Sequence, residues 1–158
     1  MKQISQKIKL DPNNFQKTHF AKCFGCKRFA YNWGVEQYNK NLSEGVFKNG
    51  YNLKKEFNAL KASQFPFVYE VTKYATQQPF LNLNIAIKDA WKNRKKSRPI
   101  KLPFKKKSNH ESFYIGGDQI KILTKPNSNK QYLKIPLLDK PLKLTEKLKY
   151  NAKILSCT

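Results

Sequence analysis

Acidic residues are scarce. Ten Asp and Glu stand against 32 Lys and Arg in 158 residues, a formal net charge of +22. A compact state with that charge repels itself, and a polyanion relieves the repulsion. Nucleic acid is the first polyanion to consider and an anionic membrane surface the second. The plain alternative is a lysine-rich soluble protein of biased composition. The few acids are also scattered. Asp11, Asp89, Asp118 and Asp139 form no cluster with the glutamates, so the gathered carboxylates of a metal-dependent nuclease are missing. P-loop, GxSxG and HExxH motifs are missing too, and no nucleophile–base pair is visible. His19 and His110 read as surface residues. Catalytic residues are therefore none.

Other shortages narrow the class. No apolar run approaches the roughly 18–20 residues of a membrane span. The start, "MKQISQKIKL", lacks the apolar core of a signal peptide. A cytoplasmic location is expected. Three cysteines make no disulfide framework. Arginine occurs only at 28, 94 and 98, so the positive charge is nearly all lysine. What is abundant is aromatic: 13% Phe, Trp and Tyr, too much for a disordered basic tail.

Residues 1–10 alternate and read as one strand, ended by "DPNN"; Asp11 or Asn13 can then cap a helix. Residues 14–42 read as two helices with a turn at Phe24-Gly25. Phe29, Ala30, Trp33 and Gln37 share one stripe of the second, and Tyr31, Val35, Tyr38 and Leu42 the next. Leu53, Phe57 and Leu60 predict a short helix over 52–62. A longer helical stretch follows. Val68, Val71 and Tyr74 or Ala75 line one face, continued by Phe80, Leu83, Ile87 and Trp91. Pro79 in its middle predicts a kink or a new helix start. "KNRKKSRPIKLPFKKK", 92–107, is a dense cationic linker. Beyond it the period becomes two. Ile120 and Ile122, then Leu133 and Ile135, flank a hairpin loop "TKPNSNKQ", and strand-like alternation continues to the end. The order is strand, helical block, basic linker, several strands.

Cys23-x-x-Cys26 raises a metal question. With His19 on the same helical face, and His110 or Cys157 as a fourth ligand, a zinc site is conceivable. The second CxxC that such sites use is missing, so packing cysteines are the expectation and no metal or cofactor is expected. Binding chemistry is better represented. Lys27, Arg28, Tyr31 and Asn32 can supply backbone contacts and a stacking ring on one short helix. Alternatively Tyr31 lies in the core and Arg28 is a solvated charge. The 92–107 run is the stronger electrostatic feature, of a kind that often contacts phosphates.

These phrases together suggest a family. "FGCKRFAYNWGVEQYNK" resembles the N-terminal helix-turn-helix segment of the TnpB (OrfB) proteins of bacterial insertion sequences. "IKLDPNNFQ", "VYEVTKYATQQPFLNLNIAIKDAWKN", "LPFKKKSNHESFYI" and "QYLKIPLLDKPLKL" are similar to further elements of that family, so the likeness spans essentially all of the chain. It implies an α+β fold: a helical recognition domain inserted after the first strand of a partial antiparallel wedge β-barrel. The implied division is 1–13 for the first wedge strand, 14–98 for the helical recognition domain, and 99–158 for the basic linker and incomplete barrel. Full members resemble RNA-guided DNA endonucleases whose RuvC-like domain follows. This chain stops where the barrel should finish, which implies a truncated, nucleic-acid-binding fragment of a transposon-encoded protein that does not cut alone.

Expected partners are guide RNA, double-stranded DNA and a separately encoded RuvC-containing chain, in a bacterial, nucleoid-associated setting. By position, Lys73, Gln77 and Tyr51 match contacts to the DNA motif beside the target. Lys27, Arg28, Asn32, Arg94, Lys95, Lys96, Arg98, Lys105, Lys106 and Lys107 match backbone contacts, with Arg28 alternatively a structural pair. Pro79 departs from the family's helix, and "SF" runs into "YIGGDQ" where the wedge loop would be. Other readings of the same residues are a stand-alone nuclease-dead DNA-binding regulator, a poorly folding product with an unpaired strand edge, and a zinc-dependent binding module.

Overall fold

Asn13 opens the first helix. Its Oδ1 accepts from Gln16 N at 2.9 Å, while Gln16 Oε1 accepts from Asn13 N at 2.9 Å. This reciprocal pair satisfies two of the donors a helix start leaves over. The computed structural model describes residues 3–94, 100–126 and 128–158. In it α1 runs from Asn14 to Ser43 as one helix of 30 residues. The turn expected at Phe24-Gly25 does not exist. Buried positions recur through it at helical spacing: Gln16, His19, Cys23, Cys26, Ala30, Val35, Tyr38 and Asn41. That stripe is partly polar and small, so hydrophobicity alone does not reveal it. One glycine costs a helix only about 1 kcal/mol, which the buried stripe outweighs. The true stop is Gly45, with φ +73. Val46 N bonds Asn41 O at 2.8 Å and Gly45 N bonds Leu42 O at 3.2 Å, the paired closure that a left-handed glycine permits. His19, read as a surface residue, is buried.

Helix α2, Gly50–Gln64, starts on a second capping box between Asn49 and Asn52. A 3-10 turn, Pro66–Glu70, leads to α3, Lys73–Asn93. Pro79 neither ends α3 nor starts a new helix; it is buried inside it. The core of these helices is aromatic. Phe57, fully buried, meets Trp33 at 5.2 Å, Phe65 at 5.4 Å and Phe80 at 5.2 Å between ring centroids. Each such pair adds about 0.5–1.5 kcal/mol beyond area burial. The backbones of α2 and α3 touch at Gly50, whose N donates to Asn84 Oδ1 at 3.2 Å. Val68, Val71, Ala75, Phe80, Leu83 and Ile87 are buried as expected and Trp91 partly so, but Val68 and Val71 belong to the 3-10 turn and the residue after it, not to α3.

The chain divides into two compact units, Lys22–Phe113 and a second made of Met1–Ala21 with Tyr114–Thr158. The second holds the strands. β1 (Leu10–Asp11), β5 (Leu142–Leu144), β4 (Gln131–Lys134) and β3 (Lys121–Thr124) form an antiparallel sheet in that order. β2 (Ile115–Gly116) pairs with β6 (Ser156–Cys157). The fold is α+β, and among the described residues neither sheet closes into a barrel. The expected hairpin is present, with Thr124 opposite Gln131. The expected first strand is far shorter than 1–10. Upstream of Leu10, Gln6 pairs through its side chain instead of its backbone: Nε2 donates to Lys147 O at 3.0 Å and Oε1 accepts from Lys149 N at 2.9 Å. The alternation after β5 yields a ladder only at β6.

Two glycines separate the effects of backbone cost and packing. A Cβ at Gly25 meets nothing within 4 Å, whereas one at Gly50 would lie 2.5 Å from Phe80 O and 2.6 Å from Asn84 Cβ. Gly25→Ala should therefore stabilise by about 0.5–1 kcal/mol. Gly50→Ala should destabilise by about 1–3 kcal/mol or more. Thermal unfolding of both variants checks the signs; a destabilised Gly25→Ala would restore the turn.

Candidate nucleic-acid interface

After α3 the chain returns along α1 without joining a sheet, and two asparagines replace the missing strand partner. Asn39 Nδ2 donates to Leu102 O at 2.9 Å and its Oδ1 accepts from Leu102 N at 3.0 Å. Asn32 treats Lys105 identically, at 3.0 and 2.8 Å. The spacing explains the fit. Asn32 and Asn39 are two helical turns apart, about 10 Å of rise. Leu102 and Lys105 are three residues apart, also about 10 Å when extended. Pro103 falls between the two rungs, where no N–H is needed. Tyr38 Oη adds a bond to Ile100 O at 3.3 Å and receives one from Trp91 Nε1 at 3.0 Å.

Further along, the register loosens. Lys27 Nζ donates to Ser112 O, Arg28 Nη1 pairs with Glu111 Oε1, and Phe24 meets Phe113 edge-on at 5.7 Å. From Asn32 to Arg28 α1 rises only about 6 Å. Lys105 to Glu111 is six residues, enough for about 20 Å. The slack bows outward, and a cavity of about 180 Å³ opens beneath it. Its walls include Phe24, Tyr31, Pro79 and Asn82 on the helices and Lys105, Lys106, Ser108 and His110 on the bow. Lys105 Nζ stands 4.1 Å from the centroid of the Tyr31 ring. Burial, and secondarily the charge of Lys27, push the Lys105 ammonium below its ordinary pKa. Burial raises the Tyr31 hydroxyl.

The residues picked from the sequence divide into groups. Lys27, Arg28, Lys105 and Lys106 line this one cavity. Asn32 is committed to the Lys105 backbone, and Lys107 is exposed beside it. Tyr31 is buried, the core alternative, yet its ring faces a lysine. Arg28 is held as a structural pair, half-buried with Glu111. Lys73, exposed, opens α3, and Gln77, half-buried, follows one turn later on the same face. Tyr51 is 54% exposed in the first turn of α2. Its neighbour Gly50 lies against Asn84, about 10 Å of helix beyond Gln77, so Tyr51 stands apart from that pair. Arg94 caps the end of α3 with its guanidinium 5.2 Å from the Trp91 ring. Lys95, Lys96 and Arg98 lie outside the described residues. Phe24, Asn82, Ser108 and Ser112 were not picked out. All four lie in phrases that resemble the family, but nothing in those phrases brings them together; Asn82 lines the cavity from α3, and Ser108 and Ser112 from the returning chain.

Cys23 and Cys26 are buried packing residues of α1. Burial, aided by Cys26, pushes the Cys23 thiol up to about 12, and burial also raises Cys26. Burial carries Cys157 to about 11. Among the described residues no three His, Cys, Asp or Glu gather as a metal site requires, nor is any helix long and apolar enough to cross a membrane.

Two outcomes follow. Asn32→Ala and Asn39→Ala should each cost about 1–3 kcal/mol and should add when combined, being two turns apart. Amide exchange at Lys105 and Leu102, respectively, should accelerate; unchanged exchange would refute the clasp. Iodoacetamide at pH 8 should leave Cys23 unlabelled until the protein is denatured. The unfolded thiol ionises near 9 and the folded one near 12, so this stabilisation is complete below pH 9 and fades as pH rises from 9 through 12.

No curated protein matches the chain. Residues 1–45 match the helix-turn-helix domain of the OrfB proteins of IS605-type insertion sequences. The matched segment holds β1 and α1 and ends at the turn that leads to α2. The N-terminal region, β1 with α1, is thus similar to the helix-turn-helix domain of the TnpB/OrfB family.

Proposed function

We propose that this protein is the nucleic-acid-binding part of a transposon-encoded TnpB-like system. In this reading it holds a guide RNA and reads a short DNA motif beside the target, and it does not cut on its own. The observation that carries the reading is the convergence of Lys27, Arg28, Lys105 and Lys106 on one cavity rim whose single carboxylate, Glu111, is already paired with Arg28. Among the described residues of the lining, no acid is left to balance the three lysines. The helix-turn-helix match over residues 1–45 and the net charge of +22 support the same conclusion. Lys73 and Gln77, one turn apart at the start of α3, have the side chains that bond base edges in a groove. Tyr51 is a further contact in this reading. Lys107 and Arg94 are further phosphate contacts in this reading, as are Lys95, Lys96 and Arg98 by their place in the basic run. Cleavage belongs to a separately encoded RuvC-containing chain, and the setting is the bacterial nucleoid.

Binding of a labelled duplex, followed by anisotropy, should weaken steeply with salt. Each neutralised phosphate contributes a slope of about −0.9 in log K against log [salt], so the three lysines alone give about −2.7. Salt-insensitive binding would sink the proposal. Selection from a randomised duplex library should enrich one motif with the wild type and lose it with Lys73→Ala or Gln77→Ala, while non-specific affinity changes little. A uniform loss on all sequences would remove the base-reading role from these two residues.

A further inference from the structure

The cavity under the bow contains more than phosphate contacts require. A duplex backbone is met by exposed cations on a convex or grooved surface. Here the cations ring an indentation of about 180 Å³ whose inner wall carries Phe24, Tyr31 and Pro79. An engineered cavity of about 150 Å³ takes up benzene, so this space has room for a planar ring. Asn82 shares the lining. Its Oδ1 accepts from Gln78 Nε2 at 3.4 Å, so what it has to offer a base edge is donation from Nδ2. Lys27, Lys105, Lys106, Ser108 and Ser112 share the lining, the last four of them exposed.

We infer that this cavity receives one unpaired nucleotide of a single strand. The base enters against Phe24, with its edge toward Asn82. The phosphate stays at the rim among Lys27, Lys105 and Lys106. A paired base cannot enter, because its edges are occupied and both its faces are stacked. Lys105 already covers the Tyr31 ring at 4.1 Å. Pro79 forms part of the wall from inside α3. The inference rests on the nucleic-acid-binding reading and adds to it a preference for unpaired strand and a defined seat for one base.

The test uses the full chain, a labelled 12-nucleotide single strand of DNA, the same sequence as RNA, and the DNA as a duplex. Phe24→Leu keeps an apolar partner for Phe113 but removes the stacking face. It should weaken binding of the single strands by about tenfold, the lower range of one base–aromatic stack. Duplex binding should stay within twofold. Asn82→Leu should act in the same direction, with a loss that differs between bases. Replacing one nucleotide of the single strand by an abasic residue should abolish the effect of Phe24→Leu at one position. Lys106→Gln, an exposed change that leaves the fold intact, should weaken both strands and duplex. Its single-strand loss should be no larger when combined with the abasic position than alone.

Equal losses on duplex and single strand for Phe24→Leu and Asn82→Leu would overturn the pocket and leave a phosphate-contacting surface, with the proposed function intact. Undiminished single-strand binding by a folded Phe24→Leu would overturn it too. If the wild type binds neither form, the broader nucleic-acid reading fails along with the pocket. A difference between the RNA and DNA single strands would assign the seat to one of them.

Discussion

The candidate site exists because an extended chain finds hydrogen-bond partners on the side of a helix. A strand normally satisfies its backbone in a sheet. Residues 102–105 instead use the side-chain amides of Asn32 and Asn39, each of which donates and accepts once, as a neighbouring peptide group would. The rise of α1 and the extension of the strand agree over two turns, so both rungs close without strain. Past Lys105 they cease to agree, and the surplus chain becomes the bow that carries Lys106, Ser108 and His110. The cavity is therefore a consequence of register. Its position is fixed by two asparagines that need not touch nucleic acid at all.

This arrangement needs a rigid α1, and the aromatic cluster provides it. Phe29 and Trp33 project from α1 into rings supplied by α2, the 3-10 turn and α3, with Phe57 at the centre. Gly34 allows the close approach from the α1 side; a Cβ there would meet Leu83 Cδ2 at 2.6 Å. Gly50 allows it from the α2 side. With three helices locked at these points, Asn32, Asn39, Lys27 and Arg28 sit at fixed heights on one rod.

Much of this was legible in the sequence. The stripes through Phe29, Trp33, Val35 and Tyr38, and through Phe80, Leu83 and Ile87, are period-3.6 patterns of large apolar residues, and they are the observed core. The hairpin around 125–130 follows from period two and turn residues. The features that escaped detection share one cause: their signal is polar. The N-terminal half of α1 buries Gln16, His19, Cys23 and Cys26, so Phe24-Gly25 looked like a boundary when it is mid-helix. Gln6 substitutes a side-chain amide for a strand ladder, so alternation over 1–10 overstated β1. Asn32 read as a contact residue because an asparagine beside Lys27 and Arg28 has the right chemistry for phosphate. That it holds Lys105 depends on a partner 73 residues away, which no local pattern encodes. The cavity was invisible for the same reason: Asn82, Lys106 and Ser108 come together only when the register is known.

The distribution of the few acids gives the electrostatic logic. Glu70 holds Lys22, Glu56 holds Lys48, Asp11 holds Lys143 and Glu111 holds Arg28. The first three pairs are largely exposed and contribute little. The Arg28–Glu111 pair is half-buried and spans 83 residues of sequence, anchoring the far end of the bow to α1. The one acid near the cavity is thus used for positioning, and its partner is the arginine whose fork suits such a pair. The lysines are left unbalanced. Lys105 shows the cost: burial and the nearby Lys27 lower its pKa, and the face of Tyr31 offsets only part of that. Arg28 is thus committed to Glu111, and Lys27 both donates to Ser112 O and adds its charge to that of Lys105 and Lys106.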